Sequence, residues 1–233
     1  MNMKGTRIAR LIIGAAVAAS AAVAFASGGG VGVSADEALQ RLMDGNKQYV
    51  AGQMGACTAS NAAKREALAT GQKPYAIILS CSDSRFPPEI IFDKTMGEIF
   101  VIRVAGNVPD PLVLGSIEYA AEHIGSPLIM VLGHERCGAV TATVQAKGKA
   151  HGNIGAIVKT IAPALKKGMK DAKGKSNAEI IESVSDVNVK LVAKNITKRS
   201  PVVAELVKEG KIKIVTAKYD LDDGKVTLFE DKK

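Results

Sequence analysis

The sequence predicts an α/β fold, with a mainly parallel central sheet flanked by helices and an N-terminal helical arm. Two observations carry this. Four short continuous apolar runs, "YAIILS", "IFVIRVA", "PLIMVLG" and "KIKIVTAKYDL", have the length and composition of strands buried on both faces. Between and around them lie segments of helical spacing, and strands that alternate with helices require crossover connections. The chain has 233 residues, 47% hydrophobic, enough to fill one sizeable core and at most two domains. Aromatics are only 4% and Trp is absent, so that core must rest on Ala, Val, Ile and Leu.

Lys4, Arg7 and Arg10 give a basic start, followed by the uncharged stretch "LIIGAAVAASAAVAFA". Ala24-Phe25-Ala26 fits a small-x-small cleavage pattern, so residues 1–26 read as a secretory signal peptide and the mature protein as periplasmic or secreted. The alternative is an uncleaved anchor, because the uncharged run continues through "SGGGVGV". The abundance of Ala and Gly over Leu favours cleavage, leaving no stable membrane insertion. No Cys stands near the cut to accept lipid and no Arg-Arg pair precedes it, so export unfolded is expected, and any metal would be loaded outside the cytoplasm.

A Gly-rich linker over 27–35 leads into a domain over 36–233. Its first helix is "SADEALQRLMDGNKQYVAG", with Ser34 as N-cap, Glu37 completing a capping box, and Leu39, Leu42 and Met43 on one face. A second, polar helix covers roughly Ser60 to Ala69. The first two strands follow, then the amphipathic helix "PLVLGSIEYAAEHIG" and the third strand. After "CGAVTATVQAKG" come helices around "IGAIVKTIAPAL" and "AEIIESVSDVNVKLVAKNITKRS", the fourth strand, and "DDG" before a short "KVTLFE". A Lys/Gly-rich loop near Lys166 to Lys175 is expected to be the least ordered part.

The formal charge is +8, and loss of the leader removes three of those charges. The remaining Lys residues are spread out, without a basic stripe or stacking aromatics, so nucleic acid is excluded as a partner. The residual positive field suits small anions.

Ligands of open α/β sheets bind beyond the carboxyl ends of the strands. Two such ends carry reactive side chains: "SCSDSR" after the first strand and "GHERCGAV" after the third. Cys81, His134 and Cys137 are soft and borderline donors that suit tetrahedral Zn²⁺, and three protein ligands leave a fourth position open for catalysis. His134 and Cys137 can be aimed at one ion by a turn entering a helix, provided that Cys81 comes from an adjacent parallel strand. Taken singly, each would read as a buried small hydrophobe or an ordinary His. A Cys81–Cys137 disulfide is a further alternative, but it gives His134, Asp83 and Arg85 no role. The odd count of three Cys residues excludes a complete disulfide framework, and Cys57 reads as a buried thiol or an intermolecular bridge. Asp83 close to zinc could close the site as a fourth ligand; a bidentate Arg85 would hold it off the metal and keep it ionised. No C-x-x-C supports a thiol redox protein.

Cys-x-Asp-x-Arg followed by Gly-His-x-x-Cys-Gly resembles the β-class carbonic anhydrases. The likeness extends through "GQKPYAIILSCSDSR", "GEIFVIRVAGN", "GSIEYAAEHIG", "GHERCGAV", "SPVVAELVKEGKIKIV" and "YDLDDGKV", from about Asp36 to Phe229. It implies zinc-dependent, reversible hydration of CO₂ to bicarbonate and a proton, by attack of zinc-bound hydroxide. It implies Cys81, His134 and Cys137 as ligands, Asp83 and Arg85 as the catalytic dyad, and Gln72, Phe100, Tyr119 and Gly138 at the substrate pocket. It also implies a homodimer, or a higher homo-oligomer of dimers, with active sites at the interface and N-terminal helices embracing the partner. The family's inhibitory bicarbonate site needs a Trp, which this chain lacks. His123 and His151 fall in no motif, so no proton shuttle is named. Hydrolysis of carbonyl sulfide or carbon disulfide, and a non-catalytic zinc site closed by Asp83, are the alternatives.

Overall fold

The computed structural model describes residues 31–230. The signal-peptide reading falls outside them. A five-stranded sheet is built from β1 (Ala76–Ser80), β2 (Ile99–Arg103), β3 (Leu128–His134), β4 (Lys213–Tyr219) and β5 (Val226–Leu228), in the order β2-β1-β3-β4-β5. The first four strands pair in parallel and β5 is antiparallel to β4. Every residue of β1 and β3 is buried, as their unbroken apolar runs require. The chain runs from β1 outward to β2 and then crosses back to β3, so the strand order reverses between β1 and β3. This is where an open sheet leaves a crevice at its carboxyl edge.

Among the described residues, eight α-helices surround the sheet: α1 (Ala35–Val50), α2 (Ala62–Ala67), α3 (Pro88–Ile91), α4 (Pro111–Glu118), α5 (Gly138–Gln145), α6 (Ile154–Asp171), α7 (Asn177–Arg199) and α8 (Pro201–Lys208). Two buried clusters lie on opposite faces of the sheet, because neighbours in a strand point to opposite sides. Ile78, Met130 and Leu132 pack with Leu42, Phe86 and Ile161 on one face. Ile77, Leu79 and Val131 pack with Ile117, Val189 and Ile196 on the other. Val31 and Val33, inside the expected linker, already pack against the first cluster.

Four local expectations need correction. Ser34 caps α1 by accepting from the Glu37 N–H at 3.1 Å, but the Glu37 carboxylate turns to Arg41 at 2.6 Å and no reciprocal bond forms. The second helix is shorter than expected, because Asn61 takes the N-cap role by accepting from the Lys64 N–H. The Lys-rich segment is helical as far as Asp171, since buried Ala164 and Gly168 continue the apolar face of α6. The helix after β2 changes character at Tyr119, where a π-helical turn runs to Ile124.

Candidate active site

β1 and β3 are adjacent and in register, Ser80 opposite Leu132, so the residues that follow them emerge together. Cys81 leaves the end of β1, His134 is the last residue of β3, and Cys137 stands at the N-cap of α5. Their sulfur and nitrogen donors lie within 4.8 Å of one another. The residues are 4%, 1% and 2% exposed. All three Cys residues are free thiols in this structure, so the disulfide alternative is not adopted. Cys57 is half-buried rather than buried.

The pocket fits a soft divalent metal on its own evidence. Neither ring nitrogen of His134 has a hydrogen-bond partner among the described residues, although both are buried. Such a group is costly unless something else binds it. Phe86 lies over the imidazole, with ring centroids 4.4 Å apart, and Tyr219 stacks behind Phe86 at 5.5 Å, so packing sets the ring's orientation. A hydrogen bond from Cys137 draws the Cys81 thiol far below its usual range, against the cost of burial and with help from His134 and the Gly106 N–H. That same bond to Cys81, together with burial, pushes Cys137 up. A pair of buried sulfurs that already favours one thiolate is a ready metal-binding set.

Asp83 and Arg85 stand at the rim. Arg85 Nε donates to Asp83 Oδ1 at 2.9 Å and Nη2 donates to Oδ2 at 2.7 Å, the forked pairing expected from the sequence. The guanidinium holds the Asp83 carboxyl down at about 2, assisted by the Arg85 N–H and by His134. Asp83 Oδ2 remains 3.9 Å from His134 Nε2, close to the donors but engaged by Arg85.

Sequence reasoning missed the groups that brace this loop. Arg103, at the end of β2, donates to the Cys81 carbonyl at 3.0 Å and to the Asp83 carbonyl at 2.6 Å. The Gly106 N–H donates to Cys81 Sγ at 3.2 Å. Gly106 has φ +71°, a backbone conformation that side-chain-bearing residues rarely adopt, so the backbone calls for glycine. The available signal was a cationic end to the strand next to the Cys-bearing one, followed by Gly-Asn.

The four residues assigned to the pocket do not all gather here. Gly138 does lie beside Cys137, and a Cβ there would meet nothing within 4 Å, so it faces open space. Gln72 is exposed in the loop before β1. It precedes the amino end of β1, a strand of about 17 Å at the usual rise per residue, whereas Cys81 follows the carboxyl end. Phe100 lies near the amino end of β2 and its ring is 6.3 Å from that of half-exposed Tyr119. Phe100 and Tyr119 therefore meet each other, not the cysteines of their own chain.

A mainly parallel α/β sheet with a Cys/His/Cys cluster at its topological switch point defines a class of protein whose site could hold a metal ion. The family model for carbonic anhydrase matches residues 76–226. "Carbonic anhydrase 2" of Mycobacterium tuberculosis is 39% identical over 194 residues, covering 82% of this chain and 91% of that protein. The carbonic anhydrase of Mycolicibacterium smegmatis is 38% identical over the same length and the same shares. Among solved structures, the β-carbonic anhydrase CafA of Aspergillus fumigatus superposes with a TM-score of 0.68 at 26% identity, covering 82% of this chain and 90% of that one. The Coccomyxa β-carbonic anhydrase in complex with acetazolamide gives 0.68 at 25% identity, over 82% and 86%. This chain belongs to the β-class carbonic anhydrases.

Proposed function

We propose that the enzyme interconverts CO₂ with bicarbonate and a proton at a zinc ion held by Cys81, His134 and Cys137. The observation that carries this reading is the buried Cys/His/Cys cluster with an unpartnered imidazole, beside a carboxylate that Arg85 keeps engaged. Zinc bound there supplies the Lewis acidity that makes a water nucleophilic near neutral pH. Asp83, ionised by its pairing with Arg85, accepts the hydrogen bond that orients that water toward substrate. Arg85 keeps the carboxylate from competing as a ligand, and its Nη2 also donates to the Arg136 carbonyl at 3.3 Å, tying the dyad to the turn between His134 and Cys137. Gly138 leaves the space beside Cys137 open to a small substrate.

A homodimer supplies the rest of the pocket in this reading. Gln72, Phe100 and Tyr119 lie too far from the cysteines of their own chain and reach those of the partner subunit. Leu112, 83% exposed, and half-exposed Tyr119 offer an apolar contact surface on that side. No helix among the described residues is long and apolar enough to cross a membrane. The basic start, the uncharged stretch and Ala24-Phe25-Ala26 support export, with residues 1–26 removed and 36–233 forming the catalytic domain.

Stopped-flow CO₂ hydration by the mature protein, with zinc quantified in the same sample, tests the reading. About one zinc per chain with rapid hydration is expected. Full zinc with no hydration at any pH overturns it in favour of the carbonyl sulfide or non-catalytic alternatives.

A further inference from the structure

Helix α7 carries a polar stripe that the reaction above does not use. Glu182, Ser185 and Asn188 recur at intervals of three, so they line one face. Each meets the backbone of a segment that holds or supports a ligand. Glu182 Oε1 accepts from the Arg136 N–H at 2.7 Å, between His134 and Cys137. Arg136 has φ +49°, an uncommon conformation for a residue with a side chain, so an outside acceptor helps to fix it. Ser185 Oγ donates to the His134 carbonyl at 3.3 Å. Asn188 Nδ2 donates to the Gly106 carbonyl at 3.1 Å. The same Gly106 donates its N–H to Cys81 Sγ.

Two further features hold the stripe in place. Lys218 of β4 pairs with Glu182 at 2.7 Å and Asp186 at 2.8 Å, offsetting part of the negative charge of this turn of α7 where it meets the sheet. A Cβ at Gly133 would lie 2.4 Å from Val189, so α7 approaches β3 closely just before His134.

Resting on the zinc reading above, we propose that α7 is a bracket that sets the spacing of the two ligand segments, and that Asn188 is a positioning residue for Cys81. Gly106 has no side chain to anchor it. Its orientation toward the sulfur rests on its backbone bonds. Asn188, 3% exposed, ties its carbonyl to a rigid helix. The N–H thereby stays aimed at Sγ, where it draws charge from the thiolate. Outer partners of this kind typically change metal affinity by about 10- to 100-fold.

The test is Asn188→Leu, with the same branching and number of heavy atoms but without the donor, and Asn188→Ser as the smaller variant should the bulkier one not fold. Val192→Ala is the control: Val192 is buried on α7 but belongs to the cluster on the far face of the sheet. Each protein is loaded with zinc or cobalt(II). Both Asn188 variants should release zinc to a chelator about tenfold or more faster than wild type. In the cobalt form, their thiolate-to-metal charge-transfer band should move to lower energy, because a sulfur that loses an N–H donor gives up charge more readily. Val192→Ala should lower the melting temperature and leave both readouts unmoved. An Asn188 variant that loses stability yet keeps the wild-type band and release rate overturns the bracket. Wild-type protein that takes up neither metal overturns the zinc centre itself, and the bracket with it.

Discussion

Asp83 and Asp93 are both held below the usual carboxylate range, by opposite means. Asp83 sits at the rim of the site and takes a forked pair of bonds from one half-exposed side chain, Arg85. Asp93 is buried and, despite the cost of that burial, accepts the N–H groups of Cys57 at 2.9 Å, Gly55 at 3.0 Å and Ala56 at 3.2 Å. It pins the loop after α1 to the end of α3. A carboxylate fixed by consecutive backbone amides has no freedom left for chemistry. One fixed by a side chain at an open rim keeps oxygen lone pairs available to a ligand.

The sharpest break of this comparison is to remove the charge from each in turn. Asp83→Asn should lower kcat/KM by about 100-fold or more, the range for losing a positioned proton acceptor. Its stability should change by under about 1 kcal/mol, because the pair is partly exposed and screened. Zinc content should stay near one per chain. Equal loss of zinc and activity would make Asp83 part of the metal pocket's architecture instead. Arg85→Ala should follow with a fall in kcat/KM of about tenfold or more, again with zinc retained, since the freed carboxylate then competes for the metal. Matched losses of activity and metal would sink the gating role.

Asp93→Asn should do the reverse. Asparagine tolerates the φ of +46° at this position, so the substitution tests the hydrogen bonds rather than the backbone. Loss of a charged acceptor from three N–H groups should cost about 2 kcal/mol. For a chain of this size that is about 4–8 °C in melting temperature. kcat/KM, measured well below that temperature, should stay within about twofold. Because folding depresses the Asp93 pKa, its contribution is fully present above the unfolded value of about 3.9 and is lost as the pH falls through the folded one. Urea titrations of wild type should therefore show stability dropping below about pH 4, and Asp93→Asn should flatten that drop. Parallel curves for the two proteins would assign the acid sensitivity to other carboxylates.

The same contrast explains what could be read from the sequence. Cys81, Asp83, Arg85, His134 and Cys137 announce themselves because their side chains carry the chemistry at two strand ends, and buried strands write unbroken apolar runs. Asp93 gives no such signal, because its partners are backbone amides that every residue possesses. The Glu182, Ser185 and Asn188 stripe was equally silent, as each acts on main-chain groups brought near only by the fold; Arg103 and Gly106 left only the faint signal of a cationic strand end followed by Gly-Asn. The capping box at Ser34 failed for a related reason: Glu37 had a choice of partners, and Arg41 on the next turn won. Gln72, Phe100 and Tyr119 are a different case, since a single chain does not bring them to the cysteines at all.

The smallest effect belongs to Cys57, which sits inside the pinned loop. Its N–H makes the 2.9 Å bond to Asp93. Burial, with Asp93 adding to it, raises the thiol's pKa and keeps it protonated, which makes it a poor nucleophile and a poor candidate for a bridge. Cys57→Ser keeps the backbone donor and replaces one small donor side chain with another, so stability should move by no more than about 0.5 kcal/mol. Thermal melts and non-reducing gel filtration of wild type and Cys57→Ser should coincide. A loss approaching that of Asp93→Asn would mean that the sulfur's packing, rather than the amide bonds, holds the loop. A change in oligomeric size on reduction, absent in the Ser variant, would restore the intermolecular bridge as the role of this thiol.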